Sequence, residues 1–200
     1  MKTATAIATA LTLLSLSTVP ALAATATKYQ FKGQNAYASF YKSDDCSYTD
    51  VSVSAFDSVT KSAPGAPTSQ TGAYLYYSSY NFCTGVQSYG NGFSDNVTFT
   101  SNKLNSATLT GTFTVYDYYL GTTKTATVNL NWTGTGDTYR GKYNSRNQGP
   151  GYSSSYRSTG SYRDAQVSGN VTSNGANLIE NLTSYGSLSS SNSGSLEIIK

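Results

Sequence analysis

A tyrosine- and arginine-rich stretch between positions 139 and 163 is the part of the sequence best equipped for binding. It carries five basic residues and no acidic one. Tyrosine rings offer flat apolar surface with a polar tip, and arginine offers paired donors for carboxylate, sulfate or phosphate. This mixture suits sugars, acidic polysaccharides or single-stranded nucleic acid. The candidate binding residues are Tyr139, Arg140, Lys142, Tyr143, Tyr156, Arg157, Tyr162 and Arg163.

An ordinary solvated sheet face would also explain this stretch. Tyrosine and arginine stack on one another and keep a sheet edge from aggregating. Ser155-Tyr156-Arg157 recurs as Ser161-Tyr162-Arg163. The offset is even, so in a continuous strand both tyrosines share one face and both arginines share the other. A binding surface predicts the tyrosines on one exposed face with arginines nearby.

The composition argues against several enzyme chemistries. The chain has no histidine, which removes Ser-His-Asp and Cys-His catalysis and imidazole metal sites. Ten carboxylates leave room for a glycoside hydrolase, which needs two carboxyls about 5–10 Å apart. Asp117 is a candidate for such a pair, although a hydrogen-bonded residue at a sheet margin is the favoured interpretation. Asp44-Asp45 indicates a turn more than a calcium site. We therefore predict no enzyme activity, no cofactor and no metal.

The N-terminus predicts export. Residues 1–23 combine a basic Lys2, a short apolar run and the small-x-small site Ala21-Leu22-Ala23, as in a secretory signal peptide. The apolar run is too short and too rich in threonine to span a membrane, and no later segment is apolar enough. The mature protein is expected to be secreted, extracellular or periplasmic.

The two cysteines, Cys46 and Cys83, fit that compartment as a disulfide. Such a bridge would contribute about 3–4 kcal/mol in the chain-entropy model. Two free thiols, the alternative, would need a reducing compartment.

Hydrophobic alternation of period two predicts an all-β chain. Residues 24–200 are expected to form a single β-domain, an antiparallel β-sandwich or flattened barrel of roughly ten short strands. Strands are expected at Gln34–Tyr41, Tyr48–Phe56, Ala73–Ser79, Asn96–Thr100, Thr138–Tyr143, Tyr156–Arg163 and Leu196–Ile199, besides two hairpins.

The clearest hairpin runs from Asn105 to Trp132. Gly121-Thr122 suits a two-residue type II′ turn. That turn would pair Val115 with Val128, Phe113 with Leu130 and Gly111 with Trp132, leaving room for the indole opposite the glycine.

A second hairpin is predicted at Asn174-Gly175, a type I′ signal. It would pair Val171 with Leu178 and Val167 with Leu182. It would also put Glu180 opposite Gly169 on the inner face, so either Glu180 lies at the sheet margin or the register is different. The serine-rich segment Ser187–Ser195 is interpreted as a linker before the final strand.

The C-terminal part resembles a group of small secreted bacterial β-domains of unknown function. Val128 to Gly136 reads VNLNWTGTG, a basic segment follows, and Ala165 to Val171 reads AQVSGNV. In that group a strand ending in Trp-Thr/Ala-x-Gly likewise precedes an arginine-rich stretch and a strand of the Ala-x-x-Ser-Gly-x-Val kind. The resemblance covers about the last 80 residues. It implies bacterial export and a shared β-fold, and it implies no activity.

The sequence thus predicts a secreted, non-enzymatic binding or matrix-associated β-domain. Its expected partner is an acidic polysaccharide or another glycan, and nucleic acid is the less expected ligand. A carboxylate-based glycoside hydrolase and a purely structural, self-associating surface protein remain the alternatives.

Overall fold

Strands are the only regular secondary structure in the described part of the chain. The structure is a computed structural model and describes residues 25–63 and 65–199, so the predicted signal peptide lies outside the described residues. Within them there are eleven strands and no helix, which confirms the all-β prediction. The strands are β1 Thr25–Ser43, β2 Ser47–Ala63, β3 Thr68–Asn81, β4 Gln87–Ser94, β5 Val97–Asn102, β6 Ser106–Asp117, β7 Thr122–Gly134, β8 Tyr139–Gly149, β9 Tyr152–Ser173, β10 Ala176–Asn177 and β11 Thr183–Ile199.

The strands form one antiparallel sheet that closes into a flattened ring. The pairing runs β9-β11-β1-β2-β3-β4-β6-β7 and returns to β9, while β5, β8 and β10 attach to single partners. The contact between β4 and β6 is a narrow seam of two residue pairs, Gly90 with Asp117 and Asn91 with Tyr116. Glycine is needed there, because a Cβ on Gly90 would lie 2.4 Å from the Tyr116 carbonyl oxygen.

The hydrophobic core fills one end of this ring. Trp132, Phe113, Leu109 and Leu130 are almost fully buried on the inner faces of β6 and β7. The Trp132 indole donates to the Tyr37 carbonyl at 2.8 Å and so links β7 to β1 across the interior. This indole hydrogen bond satisfies a polar group that burial would otherwise leave unpaired.

Several strands continue far beyond the core. β1 has 19 residues and β9 has 22, so the expectation of short strands was wrong for them. Beyond the core they join β8, the end of β2 and the start of β3 in an open, six-stranded sheet of order β8-β9-β11-β1-β2-β3. Most inner-face positions there are polar, because no second layer covers them among the described residues. Val59 and Leu196 are apolar exceptions.

The predicted register of the β6–β7 hairpin was wrong by four residues. Val115 faces Lys124, Phe113 faces Ala126 and Gly111 faces Val128. The turn is a four-residue loop that Asp117 caps, since its Oδ1 accepts from the amides of Tyr119 and Leu120, both at 3.0 Å. An even shift keeps every side chain on its predicted face, which is why the core was still foreseen.

The second hairpin forms in the predicted register but ends early. Asn174 and Gly175 both have positive φ, 51° and 79°, as a type I′ turn requires. The Leu178 amide donates to the Val171 carbonyl at 2.7 Å. The chain then turns away before Leu182 reaches Val167. β11 begins at Thr183, and its first partner on β9 is Ala165, which pairs with Gly186.

Glu180 lies exposed in this connection, which is the margin position left open above.

The segment Ser187–Ser195 is not a linker. It lies in the middle of β11, hydrogen-bonded to β1 on one side and to β9 on the other. Two neighbours satisfy the backbone of a strand whose small side chains carry almost no strand propensity. Strand β4 was missed for a related reason, since Gly90 and Gly92 weaken its pattern.

The predicted disulfide between Cys46 and Cys83 is confirmed, with 5.2 Å between the two Cα atoms. It joins the β1–β2 turn to the β3–β4 turn, at the core end of the sheet. Asp44 forms the predicted turn, because its Oδ1 accepts from the amides of Cys46 and Ser47 at 3.0 and 2.7 Å.

Candidate functional site

The β8–β9 hairpin separates the predicted tyrosines from the predicted cations. Pro150-Gly151 forms its turn, and Gly149 faces Tyr152. The alternation of strand side chains then decides the faces, as the Ser-Tyr-Arg repeat predicted. The outer face carries Tyr139, Tyr143, Tyr156 and Tyr162, and the inner face carries Arg140, Lys142, Arg157 and Arg163.

The outer tyrosines form side-by-side pairs. Ring centroids lie 6.4 Å apart for Tyr139 and Tyr162 and 6.1 Å apart for Tyr143 and Tyr156. The Tyr162 hydroxyl bonds to the Tyr185 hydroxyl and donates to Asp164 at 2.7 Å. These bonds, with Tyr185 first, raise the pKa of Tyr162. The candidate tyrosines and the candidate cations therefore belong to opposite faces of the sheet.

Cations from β1, β2, β8 and β9 converge on the inner face of the open sheet. Residues that face one another across the neighbouring strands β8, β9, β11 and β1 form rows. From the core outward the rows are Arg140/Ser161/Ser190/Gln34, Lys142/Thr159/Asn192/Lys32, Asn144/Arg157/Gly194/Gln30 and Arg146/Ser155/Leu196/Lys28. Lys61 of β2 adjoins Gln30 in the third row. We call this surface the basic groove, and its cations are Lys28, Lys32, Lys61, Arg140, Lys142, Arg146 and Arg157.

Sequence reasoning missed four of these cations as site residues, Lys28, Lys32, Lys61 and Arg146. The even spacing of Lys28 and Lys32 would place them on one face of a strand. Only the pairing of β1 with β11, and of β11 with β9, brings that face beside Arg157.

Small polar residues make the floor of the basic groove. β11 contributes Ser190, Asn192 and Gly194, and β9 contributes Thr159 and Ser161. The long cationic side chains of β8 and β1 stand on either side of this floor. Hydroxyl and amide groups of this kind donate to and accept from a polar ligand.

Three adjoining hollows run along the basic groove. The outermost, about 490 Å³, is lined by residues that include Lys28, Gln30, Arg146 and Arg157. A middle hollow of about 230 Å³ shares Gln30 and Arg157 with it. The innermost, about 430 Å³, shares Thr159 and Asn192 with the middle one and adds Lys32, Arg140 and the turn residues Lys103, Leu104 and Asn105. The four rows span about 20 Å at the usual rise of a strand.

Arg163 has a structural role at the inner end. Its Nε donates to the Gly136 carbonyl and its Nη1 to Asn105 Oδ1, both at 3.1 Å. These bonds tie the β5–β6 turn to the loop before β8. Arg163 is therefore engaged in hydrogen bonds within the protein.

The charge of the basic groove is uncompensated. Within residues 25–63 and 65–199, the ion pairs are Lys42 with Asp44 and Lys124 with Asp117, and neither involves a groove cation. The carboxylate that shares the inner face of the open sheet, Asp57, accepts from the Thr71 hydroxyl at 2.9 Å. Clustered like charges with low-dielectric walls focus a positive potential.

Asp117, the candidate for carboxylate catalysis, lies in the core and is fully buried. Its carboxylate accepts from Lys124 Nζ at 2.7 Å, from the Tyr77 and Ser88 hydroxyls at 2.7 and 2.8 Å, and from two loop amides. Burial raises the pKa of this carboxyl, but the donors, Lys124 foremost, outweigh burial and hold the pKa well below its usual range. A saturated, ionised carboxylate suits a structural ion pair and not a general acid.

Comparisons with known proteins give no family. No known family model matches the chain, and no curated protein matches it. A crystal structure from Nitrosomonas europaea, provisionally described as ATTH, is similar at 12% identity and a TM-score of 0.29. The match covers 81% of this chain and 50% of that one, so the chain spans half the length of that protein. Such a TM-score carries no argument about fold or function, and the resemblance to small secreted β-domains stays a prediction.

The described part of the chain lacks two kinds of feature. Residues 25–63 and 65–199 contain no helix long and apolar enough to cross a membrane. The same residues contain no group of three or more side chains of the kinds that hold a metal.

Proposed function

We propose that this protein is an exported, non-enzymatic β-domain that binds an anionic polysaccharide in the basic groove. The observation that carries the proposal is the convergence of seven cations from four strands on one groove, with no ion-pair partner among the described residues. Gathering like charges costs folding energy through repulsion. An anionic ligand would relieve that repulsion.

The lining of the groove supports a polysaccharide over a nucleic acid. Single-stranded nucleic acids are held by bases stacked on aromatic rings. Tyr139, Tyr143 and Tyr162 line none of the three hollows, Tyr156 lines the outermost one, and the middle and innermost hollows have no aromatic lining residue. The serine, threonine and asparagine side chains of the floor are matched instead to sugar hydroxyls.

The predicted compartment also supports an extracellular ligand. The composition of residues 1–23 predicts export, and the disulfide between Cys46 and Cys83 suits an oxidising environment. Self-association through a tyrosine- or threonine-rich edge stays a prediction.

Binding to dextran sulfate and to neutral dextran, measured by calorimetry, tests the proposal. We expect binding to dextran sulfate alone, weakening as salt is added, because the groove cations are exposed to solvent. Lys142→Ala and Arg157→Ala should each weaken it several-fold. Lys42→Ala is the matched control, since Lys42 lies at the other end of β1 and pairs on the surface with Asp44.

Equal affinities for the wild type and both groove variants would contradict the proposal, as would equal binding of the neutral polymer.

A further inference from the structure

We infer that the basic groove binds the end of an anionic chain and not its middle. This inference rests on the proposed function and adds the direction in which the ligand enters. Three observations carry it: the groove is closed at one end, the turn that closes it adds the cation Lys103, and Gln34 at that end has an unpaired buried acceptor.

The inner end of the groove is closed by the β5–β6 turn. Lys103, Leu104 and Asn105 of that turn line the innermost hollow. Leu104 is buried in the core, and the Gly134 amide donates to the Asn105 carbonyl at 2.7 Å. Arg163 adds its bond to Asn105 Oδ1. A ligand chain that reaches this turn meets packed protein and cannot continue along the groove.

The outer end of the groove lacks such a barrier among the described residues. The last row, with Arg146 and Lys28, is followed by exposed strand ends and by the Pro150-Gly151 turn. A long chain can therefore enter there and leave its remaining length in solvent.

The closed end carries cations of its own. Lys103 of the turn joins Arg140 and Lys32 around the innermost hollow, the same number of cations that Lys28, Arg146 and Arg157 give the outermost hollow. Gln34 lines the innermost hollow, and its Oε1 is buried without a hydrogen-bond partner among the described atoms. Leaving such an acceptor unpaired is costly. A terminal sugar unit that bears both an anionic group and a free hydroxyl would satisfy the cations and this acceptor together.

Linear and cyclic probes of the same sugar separate the end of a chain from its middle. Sulfated maltoheptaose has two ends, and sulfated β-cyclodextrin has the same sugars in a ring. At equal sulfation and salt, calorimetry should give an affinity at least about tenfold higher for the linear probe. Lys103→Asn should remove most of that advantage. Asparagine is chosen because Lys103 has a φ of 54°, which asparagine tolerates.

The outcomes separate this inference from the proposed function. Equal affinities for the two probes, both lowered by Lys142→Ala, would overturn end binding and leave the groove as the binding site. Failure of both probes to bind, or binding indifferent to Lys142→Ala, would overturn the proposed function and the inference with it. Thermal melts of each variant, with Lys42→Ala as the control, show that folding is intact.

A length series gives a second, independent test. Shortening the sulfated linear probe should leave the effect of Lys103→Asn in place, because the end still seats at the closed end. The effect of Lys28→Ala should vanish for probes too short to reach the mouth. The reverse order of dependence would overturn the inference.

Discussion

At the scale of single residues, the alternation of side chains along a strand places tyrosines and cations on opposite faces, although they are neighbours in the sequence. Tyr156 and Arg157 are adjacent in the chain, yet one side chain faces outward and the other faces the groove. The tyrosine rings can thereby pack on one another. The cations line the basic groove, where we propose that an anionic ligand binds. Asp117 shows the opposite case, a charged group whose partners all come from the protein itself.

The Asp117 ion pair predicts a stability effect. Asp117→Asn should lower the free energy of unfolding by about 3 kcal/mol, because it leaves Lys124 without its partner and breaks a hydrogen-bonded network in the core. Urea denaturation measures the loss. Asp164→Asn, at an exposed carboxylate, is the control and should change stability by less than about 1 kcal/mol.

The contribution of Asp117 to the free energy of unfolding depends on pH with a definite sign. The pKa of Asp117 is lower in the folded protein than in the unfolded chain, so its contribution is complete at neutral pH. That contribution declines as pH falls through the acid range below the unfolded value of about 4. The wild type should therefore lose more stability than Asp117→Asn on acidification, and parallel losses would contradict this account.

At the scale of elements, turns and close approaches decide which strands meet. The Asp117-capped loop sets the β6–β7 register, and glycines let β4 reach β6. The serine-rich centre of β11 becomes a strand because β1 and β9 supply hydrogen bonds on both sides. For β4 and β11, the neighbouring strands and not the strand's own composition determine the structure.

The seam between β4 and β6 yields a prediction. Gly90→Ala should destabilise the protein by about 2–3 kcal/mol, since the new Cβ would lie 2.4 Å from the Tyr116 carbonyl oxygen and would force the seam apart. Gly141→Ala on β8 is the matched control, because a Cβ there meets nothing within 4 Å. Chemical denaturation of the two variants compares them, and equal stabilities would show that the seam does not hold the ring closed.

At the scale of the whole molecule, the stabilising features and the proposed binding site lie at opposite ends. The disulfide, the core and the Asp117 network lie where β1 ends, and the basic groove lies where β1 begins. The long strands β1, β9 and β11 connect the two ends. This arrangement lets a groove of uncompensated charge exist, since the repulsion is offset by packing elsewhere.

Removing the disulfide tests this separation. The double variant Cys46→Ser, Cys83→Ser should lose about 3–4 kcal/mol of unfolding free energy. Its affinity for dextran sulfate, measured well below the melting temperature, should equal that of the wild type. A parallel fall in affinity would mean that the two ends are coupled.

The sequence by itself determined the class of fold, the disulfide and the opposite faces of the tyrosines and arginines in the Ser-Tyr-Arg repeat of β9. All three follow from local rules: period-two alternation, cysteine number, and the even offset of the Ser-Tyr-Arg repeat. Tertiary structure alone decided the strand order that sets Lys28 and Lys32 opposite Arg146 and Lys142, and the strand through Ser187–Ser195. Those features depend on contacts between residues far apart in the chain, and a pattern read along one strand holds no information about which strand will lie beside it.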